Sequence, residues 1–117
     1  VMWIEALKNA QEIHDKVGEP VTGAEFRDGY EALDMSEERL EEIGILGMVS
    51  PFEMSCEYQG GSGKFRIMQW DGEQFNTVTD WIGAPDPEMI REMVHASAEK
   101  FAEEQDITPR ECPGDAS

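Results

Sequence analysis

The sequence contains two cysteines and two histidines, the residue types that could form a nucleophilic pair. Cys56 with His14 or His95 would supply a thiolate and an imidazole base. His14 falls on the packed face of a predicted helix, however, and His95 falls in an acidic helix, which are positions typical of a structural and a surface histidine. Nothing around Cys56 has the local sequence of a cysteine protease. A hydrolase built on Cys56 is therefore a remote alternative, and we predict no enzyme and no catalytic residue.

The two cysteines can instead be considered as a structural pair. One bridge is expected for an even number of cysteines in an oxidising compartment, whereas two free thiols are usual in the cytosol. The residues themselves leave both interpretations open, with Cys56 and Cys112 as the candidate disulfide.

The spacing of metal-binding and phosphate-binding residues does not indicate such a site. The cysteines and histidines lie too far apart for zinc, and residues 80–86 are too apolar and too short for a calcium loop. The acidic residues of 37–42 are typical of a solvated face. Residues 60–64 loosely resemble a phosphate-binding loop, but a strand is predicted after them where such a loop needs a helix. We predict no metal and no cofactor.

The charge balance excludes several classes of partner. The 117 residues include 9 basic and 26 acidic side chains, which gives a net charge of −17. Nucleic acid is excluded because phosphate neutralisation needs clustered Lys and Arg, and an anionic membrane surface is disfavoured for the same reason. No apolar run approaches the roughly 18 residues of a transmembrane helix.

Three helices are predicted in the first part of the chain. Apolar residues recur at spacings of three and four over residues 2–17, and charged residues, including Glu5, fill the opposite face. Thr22 and Glu25 form a capping box that starts a second helix. Ser36 caps a third, short helix, and an extended connection with at most a short strand follows.

A hairpin and a last helix are predicted in the second part. Asp71-Gly72 between two strand-like runs predicts a β-hairpin with a type I′ turn, which needs positive φ at both central residues. Asp86-Pro87 begins a helix that runs to about residue 105 and carries an apolar stripe. Cross-strand packing is favoured over a ligand cleft for the aromatic residues Trp70, Phe75 and Trp81. The fold class is therefore α+β, with helices plus an antiparallel β-hairpin.

The order of these elements resembles the C-terminal part of periplasmic substrate-binding proteins of ABC transporters, in the Leu/Ile/Val-type (branched-chain amino acid) branch. The resemblance is carried by residues 55–60, by residues 63–72 with their Arg/Gln/Trp-Asp-Gly hairpin, and by Trp81. It implies a two-lobed α/β parent of type I. In that scheme residues 1–46 are a helical segment of an incomplete lobe, residues 47–82 are the inter-lobe connection and hairpin, and residues 83–117 are the C-terminal helix and tail.

The resemblance also implies a function without covalent chemistry. A periplasmic or secreted receptor would close at a hinge over an amino acid or a similar small polar solute, and would deliver it to an ABC permease in the membrane. Tyr58 and Phe52, near the crossing between lobes, are the candidate ligand-binding residues. Similar family members often have His where Tyr58 stands, which either changes ligand preference or has no effect.

Two further expectations accompany this interpretation. The chain starts at Val1 without a signal peptide, which fits a C-terminal fragment. The apolar stripe of its first helix would then be exposed, and we expect it to make the fragment dimerise. The alternative function is a self-sufficient acidic interaction domain that binds a basic partner, which the charge supports.

Overall fold

The computed structural model describes residues 1–113 and has an α+β fold, as predicted from the sequence. The described part of the chain contains four helices and two small antiparallel sheets of two strands each. It divides into two compact units, the first comprising Val1–Ser62 and the second beginning at Gly63. The last four residues of the predicted C-terminal tail lie outside the described residues.

The first unit contains three helices and one small sheet. Its elements are α1 (Met2–Ile13), α2 (Gly23–Glu31), β1 (Asp34–Met35), α3 (Glu37–Glu42) and β2 (Phe52–Glu53).

Side-chain caps start two of these helices, at the positions that the sequence predicts. The Thr22 hydroxyl accepts a hydrogen bond from the Glu25 amide at 3.3 Å, and the Glu25 carboxylate accepts one from the Thr22 amide at 2.7 Å. The Ser36 hydroxyl accepts a hydrogen bond from the Arg39 amide at 3.3 Å at the start of α3. These contacts satisfy amides that have no partner inside the helix.

Helix α1 is shorter than the periodicity predicts, because it ends at Ile13 and not near residue 17. Asp15 has a φ of 53°, in the left-handed region, and the Lys16 amide donates to the Gln11 carbonyl at 2.7 Å. A residue in the left-handed region followed by a 6→1 backbone hydrogen bond is a Schellman motif, a common way for a helix to end.

Helices α1 and α2 approach each other closely at Gly29. A Cβ placed on Gly29 would lie 2.7 Å from the Cβ of Ala10 and would overlap the Ala6 carbonyl oxygen. Both alanines are completely buried. Small residues on both helices are therefore what allows the two backbones to meet.

The core of the first unit lies between this helix pair and the small sheet. Strands β1 and β2 are antiparallel and pair Asp34 with Glu53 and Met35 with Phe52. The buried core cluster consists of Ala6, Leu33, Met35 and Leu40, and the partly buried residues packed against it are Phe26, Tyr30, Ile43, Ile45, Phe52 and Met54.

The second unit contains the hairpin formed by β3 (Met68–Trp70) and β4 (Phe75–Thr77). Trp70 pairs with Phe75, so the connection is the four residues 71–74. The predicted hairpin is present, but the predicted type I′ turn is wrong: Gly72 has a φ of 109°, whereas Asp71 does not have positive φ. The Asp71 carboxylate accepts hydrogen bonds from the amides of residues 73 and 74, both at 2.9 Å, and thereby closes a longer loop.

Helix α4 (Pro87–Glu104) follows the hairpin within bounds close to the prediction. The Asp86 carboxylate caps it by accepting a hydrogen bond from the Met89 amide at 2.9 Å. Helix α4 has no buried residue and packs against neither strand of its own unit. Its predicted apolar stripe is therefore exposed in the described part of the chain.

Candidate functional site

A cluster of ionised side chains in the first unit is centred on Glu5 of α1. Its carboxylate accepts hydrogen bonds from Arg39 Nε at 2.8 Å and Nη2 at 2.5 Å, and from Lys8 Nζ at 2.9 Å. Arg39 Nη1 also donates to Glu42 at 2.6 Å. Because only 10% of the Glu5 side chain is exposed, the cluster holds an almost buried carboxylate between two cations.

The hydrogen bonds between Glu5 and Arg39 favour the ionised forms of both side chains. Burial opposes ionisation of Glu5, but the hydrogen bonds from Lys8 and Arg39 outweigh it and hold the pKa of Glu5 below its ordinary value of 4.5. Hydrogen bonds to Glu5 and Glu42 raise the pKa of Arg39. A general acid or base needs a pKa near the working pH, so this cluster is suited to holding α1 and α3 together and not to proton transfer.

A polar cleft of about 300 Å³ opens beside this cluster. Asn9 stands on one wall, and its side-chain amide donates to the carbonyl oxygens of Gly29 at 3.3 Å and Ala32 at 3.2 Å. The cleft has room for a small polar molecule, but its two cations already face carboxylates. The residues lining it are Glu5, Lys8, Asn9, Glu12, Ala32, Leu33, Asp34, Met35 and Arg39.

The two ligand-binding candidates, Phe52 and Tyr58, have separate local roles in the first unit. Phe52 lies in β2, is half-buried and packs against the core cluster. Tyr58 closes a turn with Ser55: its amide donates to the Ser55 hydroxyl at 3.0 Å, and its carbonyl accepts from the Ser55 amide at 3.0 Å. Its ring lies against Gly60, where an added Cβ would collide with it. Ligand binding by either residue stays a prediction.

The predicted pairing of Cys56 with a histidine as nucleophile and base is not supported, because Cys56 lies in a disulfide and His14 contacts a carboxylate. Cys56 and Cys112 are both disulfide-bonded, and no cysteine in residues 1–113 is free. Since a disulfide sulfur is not a thiolate, this state offers no nucleophile. His14 Nε2 lies 3.1 Å from a carboxylate oxygen of Asp28 in α2, which fits the structural role predicted for it.

Metal and phosphate sites have no structural support in the described range. No group of three or more His, Cys, Asp or Glu side chains within residues 1–113 could hold a metal ion. In the glycine-rich segment 60–64, Gly61 and Gly63 have φ values of 66° and 61°, and the Ser62 hydroxyl is hydrogen-bonded to Ser50. The segment leads to a bridge between Phe65 and Ile82 and not to a helix.

The aromatic residues of the hairpin form two contacts. The rings of Trp70 and Phe75, a cross-strand pair, have centroids 5.1 Å apart, as predicted for packing within the sheet. Trp81 instead lies under the guanidinium group of Arg66, whose Cζ is 4.8 Å from the ring centroid. Trp81 and Arg66 are 15 positions apart and no local spacing connects them, so this cation–π contact could not be predicted from the sequence.

A second surface is the apolar α4 face, which we define as Ile90, Met93, Val94, Ser97, Ala98 and Phe101. These residues line an open groove of about 610 Å³. The largest of them are far from buried, with Met93 64% and Phe101 58% exposed. The other side of the helix is charged and includes Glu88, Glu92, His95 and Glu99. Helix α4 is therefore strongly two-sided, and its apolar side is the more suited to a contact.

One of three comparisons with known proteins gives a match. Neither a scan of protein-family models nor a comparison with curated proteins gives a match. Among solved structures, one described as an ABC transporter permease from the Pseudomonas fluorescens group is similar, with a TM-score of 0.82 and 34% sequence identity. The match covers 96% of this chain and 26% of that one, so the chain spans about a quarter of its length.

This match corrects the resemblance drawn from the sequence. The similar structure is described as a permease, not as a periplasmic substrate-binding protein, so the predicted receptor that feeds an importer by hinge closure is wrong. The periplasmic or secreted location that depended on it is wrong as well. The alternative of an acidic interaction domain with a basic partner gains no support, nor do the two-lobed parent, the amino-acid-like solute and the dimer. What the comparison shows is similarity to part of a protein described as an ABC transporter permease.

The correction has a physical reason. The resemblance depended on the order of short helices and turns. Such an order is determined by local structure, and the same local structure can occur in proteins with different functions, so it does not identify which component of a transporter a chain belongs to. Within residues 1–113, no helix combines the length and the apolar composition needed to cross a bilayer.

Proposed function

We propose that this chain is an extramembrane segment of the permease component of an ABC transporter, where it provides protein contacts and performs no covalent catalysis. The observation that carries the proposal is the TM-score of 0.82 at 34% identity over 96% of the chain. An identity at this level over nearly the full chain supports a related role as well as a shared fold. The proposal concerns the segment, because the match spans about a quarter of the solved chain.

The surface of the first unit supports a position in contact with water. Its core cluster is small, and ion pairs such as Glu5 with Arg39 and Lys16 with Glu25 lie around it, with N–O distances of 2.5 and 2.6 Å. Ion pairs of this kind are stable beside water and costly within hydrocarbon. The charge of −17 further favours a water-facing surface.

The chemistry of the described side chains supports a role in contacts. The polar cleft has its cations paired with carboxylates, and both cysteines are disulfide-bonded. Exposed apolar side chains are present on α4 and on the hairpin, where Trp70 and Phe75 are 53% and 65% exposed, and also in the first unit, where Trp3 is 64% exposed. Exposed apolar patches of this kind mark contact surfaces more often than reaction centres.

The proposal is tested with the full-length polypeptide that contains this chain, expressed with an affinity tag. We expect it to stay with the membrane fraction after a carbonate wash. We also expect an ABC-type ATPase subunit, identified by mass spectrometry, to co-purify with it in mild detergent. An unrelated tagged membrane protein is the control. Complete recovery in the aqueous fraction without an ATPase subunit would contradict the proposal.

A further inference from the structure

The apolar α4 face is exposed, although its residues are of the kind that pack in a protein core. Helix α4 is 18 residues long and has no buried residue, although Ile90, Met93, Val94 and Phe101 recur on one side of it. Neither strand of the hairpin packs against the helix. Since most helix stability in proteins comes from packing an amphipathic face and not from helix propensity, such a helix requires a cover.

The hairpin that precedes α4 in the chain is exposed as well. Strands β3 and β4 have three residues each, and all six are exposed. A single two-stranded hairpin is marginally stable in water and gains stability by packing on further structure. The second unit therefore contains two elements that both need an apolar partner surface.

The net charge of this chain and the length of the similar solved structure indicate what covers the apolar α4 face. A second copy would add another −17 to the complex, and this repulsion opposes association. The similar solved structure, by contrast, extends well beyond the match, because the matched part is 26% of its chain. In a polypeptide of that length about three quarters of the chain lies outside the matched part, and that portion is the candidate cover for the apolar α4 face.

We infer that the apolar α4 face packs, in the full-length protein, against an apolar element of the same polypeptide that lies outside these 117 residues. The inference rests on the proposed function, since the length of the solved permease supplies the occupant. The helix then docks this segment onto the body of the protein, with its charged side, including Glu92 and Glu99, facing water.

A photo-cross-linking experiment on the full-length polypeptide identifies the occupant. Phe101 is replaced by p-benzoylphenylalanine, which places a reactive ketone on the apolar α4 face. The matched control carries the same residue at Glu99, about 200° away around the helix. After irradiation, mass spectrometry identifies the linked peptide. We expect a link from position 101 to a peptide outside the 117 residues, at least tenfold more abundant than any such link from position 99.

Each other outcome overturns the inference. A link to the same peptide in a second copy, seen as a doubled mass, would assign the face to a dimer interface. A lipid adduct would assign it to the membrane, and a link within the 117 residues would assign it to internal packing. The absence of a link at position 101 would show an uncovered face, and a mature polypeptide of only 117 residues would remove the occupant.

A second measurement on the same polypeptide does not depend on cross-linking chemistry. Val94→Asp places a charge on the apolar α4 face, and Ala96→Asp places the same charge two residues away on the charged side. We expect Val94→Asp to lower the melting temperature by about 5 °C and Ala96→Asp by about 1 °C or less. Equal shifts would contradict the inference. A confirmed intramolecular contact without ATPase co-purification would leave the inference intact and reject only the proposed function.

Discussion

Arg39 of α3 donates two hydrogen bonds to the carboxylate of Glu5 in α1, from Nε at 2.8 Å and from Nη2 at 2.5 Å. The two residues are 34 positions apart in the sequence. The contact ties the first helix of the chain to the third, beside the core residue Leu40. It also compensates a carboxylate that is almost buried, and a buried charge without a partner is strongly destabilising.

Replacing Glu5 tests how much this pair stabilises the first unit. Glu5→Gln keeps the shape of the side chain but removes its charge and replaces one acceptor oxygen with an amide donor, so Arg39 and Lys8 lose the anion that they share. We expect a loss of about 2 kcal/mol in the free energy of unfolding, the range for hydrogen bonds to charged groups. Urea denaturation followed by circular dichroism measures it.

The matched control for this prediction is Glu42→Gln, which removes the other carboxylate bound by Arg39. The Glu42 side chain is 56% exposed, and exposed ion pairs contribute about 0.5 kcal/mol or less. Equal losses in the free energy of unfolding for the two variants would show that the buried Glu5 contributes no more to stability than the exposed Glu42.

Gly29 provides a test of the contact between α1 and α2. Because an added Cβ would overlap backbone atoms of Ala6 and Ala10, Gly29→Ala must separate the two helices. Overpacking of this kind costs about 3 kcal/mol, and thermal denaturation measures it.

The control for the helix contact is Gly23→Ala at the start of α2, where nothing lies within 4 Å of the added Cβ. We expect this variant to be neutral or more stable by about 0.5 kcal/mol, because alanine restricts the unfolded chain. A neutral Gly29→Ala variant would mean that the helices are not in close contact.

The features predicted correctly are those determined by neighbouring residues. The capping box of Thr22 and Glu25, the cap at Asp86 and the hairpin around Asp71 each depend on side chains within a few positions. The turn type within that hairpin was predicted incorrectly. The dipeptide Asp71-Gly72 is compatible with more than one loop, and the hydrogen bonds of Asp71 select the longer one.

The features that sequence patterns did not predict depend on distant partners. The periodicity of α1 places Glu5 on the charged side of the helix, yet its side chain is buried. Its partner Arg39 lies in another helix, 34 positions away, and local spacing cannot indicate such a contact. The pairing of Met35 with Phe52 brings together two strands of two residues each, too short to produce an alternating pattern. The same limit applies to the candidate site: the position of Phe52 in the chain predicts a place near the crossing between lobes, whereas its side chain packs against the core cluster.

Glu25 gives a prediction for acid pH. The Lys16 ammonium, 2.6 Å away, and the Thr22 amide lower the pKa of Glu25 from 4.5 to about 2. Because the folded-state pKa is the lower one, the stabilisation is complete above pH 4.5 and is lost as the pH falls through about 2.

Carbon-detected NMR titration of the Glu25 carboxylate measures this pKa directly. Lys16→Met removes the largest cause of the shift, so we expect the Glu25 midpoint to move upward toward 4.5. Lys8→Met is the matched control, since Lys8 pairs with Glu5 and not with Glu25. A Glu25 midpoint that is the same in all three proteins would reject the role of Lys16.

The cysteines give a prediction for redox conditions. Both are disulfide-bonded, so we expect no reactive thiol in denatured, non-reduced protein and two after reduction. Peptide mapping without reductant tests the predicted pairing of Cys56 with Cys112. We expect loss of the bridge to cost about 3 kcal/mol of stability. Two free thiols before reduction would rule out the disulfide, and a linked dimer on a non-reducing gel would place it between chains.

The last prediction concerns the loop of the hairpin. Hydrogen bonds from the Gln74 and Glu73 amides, together with one from the Asn76 side chain at 2.6 Å, lower the pKa of Asp71. Asp71→Ala removes the acceptor for all three donors, so we expect weaker cross-strand NOEs between Met68 and Thr77. Glu73→Ala, in the same loop, should leave the NOEs unchanged. In the unsubstituted protein the NOEs should persist above pH 3.8 and weaken as the pH falls through the lower folded-state pKa of Asp71, because protonation removes charge from the acceptor. If the NOEs are insensitive both to Asp71→Ala and to acid, the strands and not the loop hold the hairpin together.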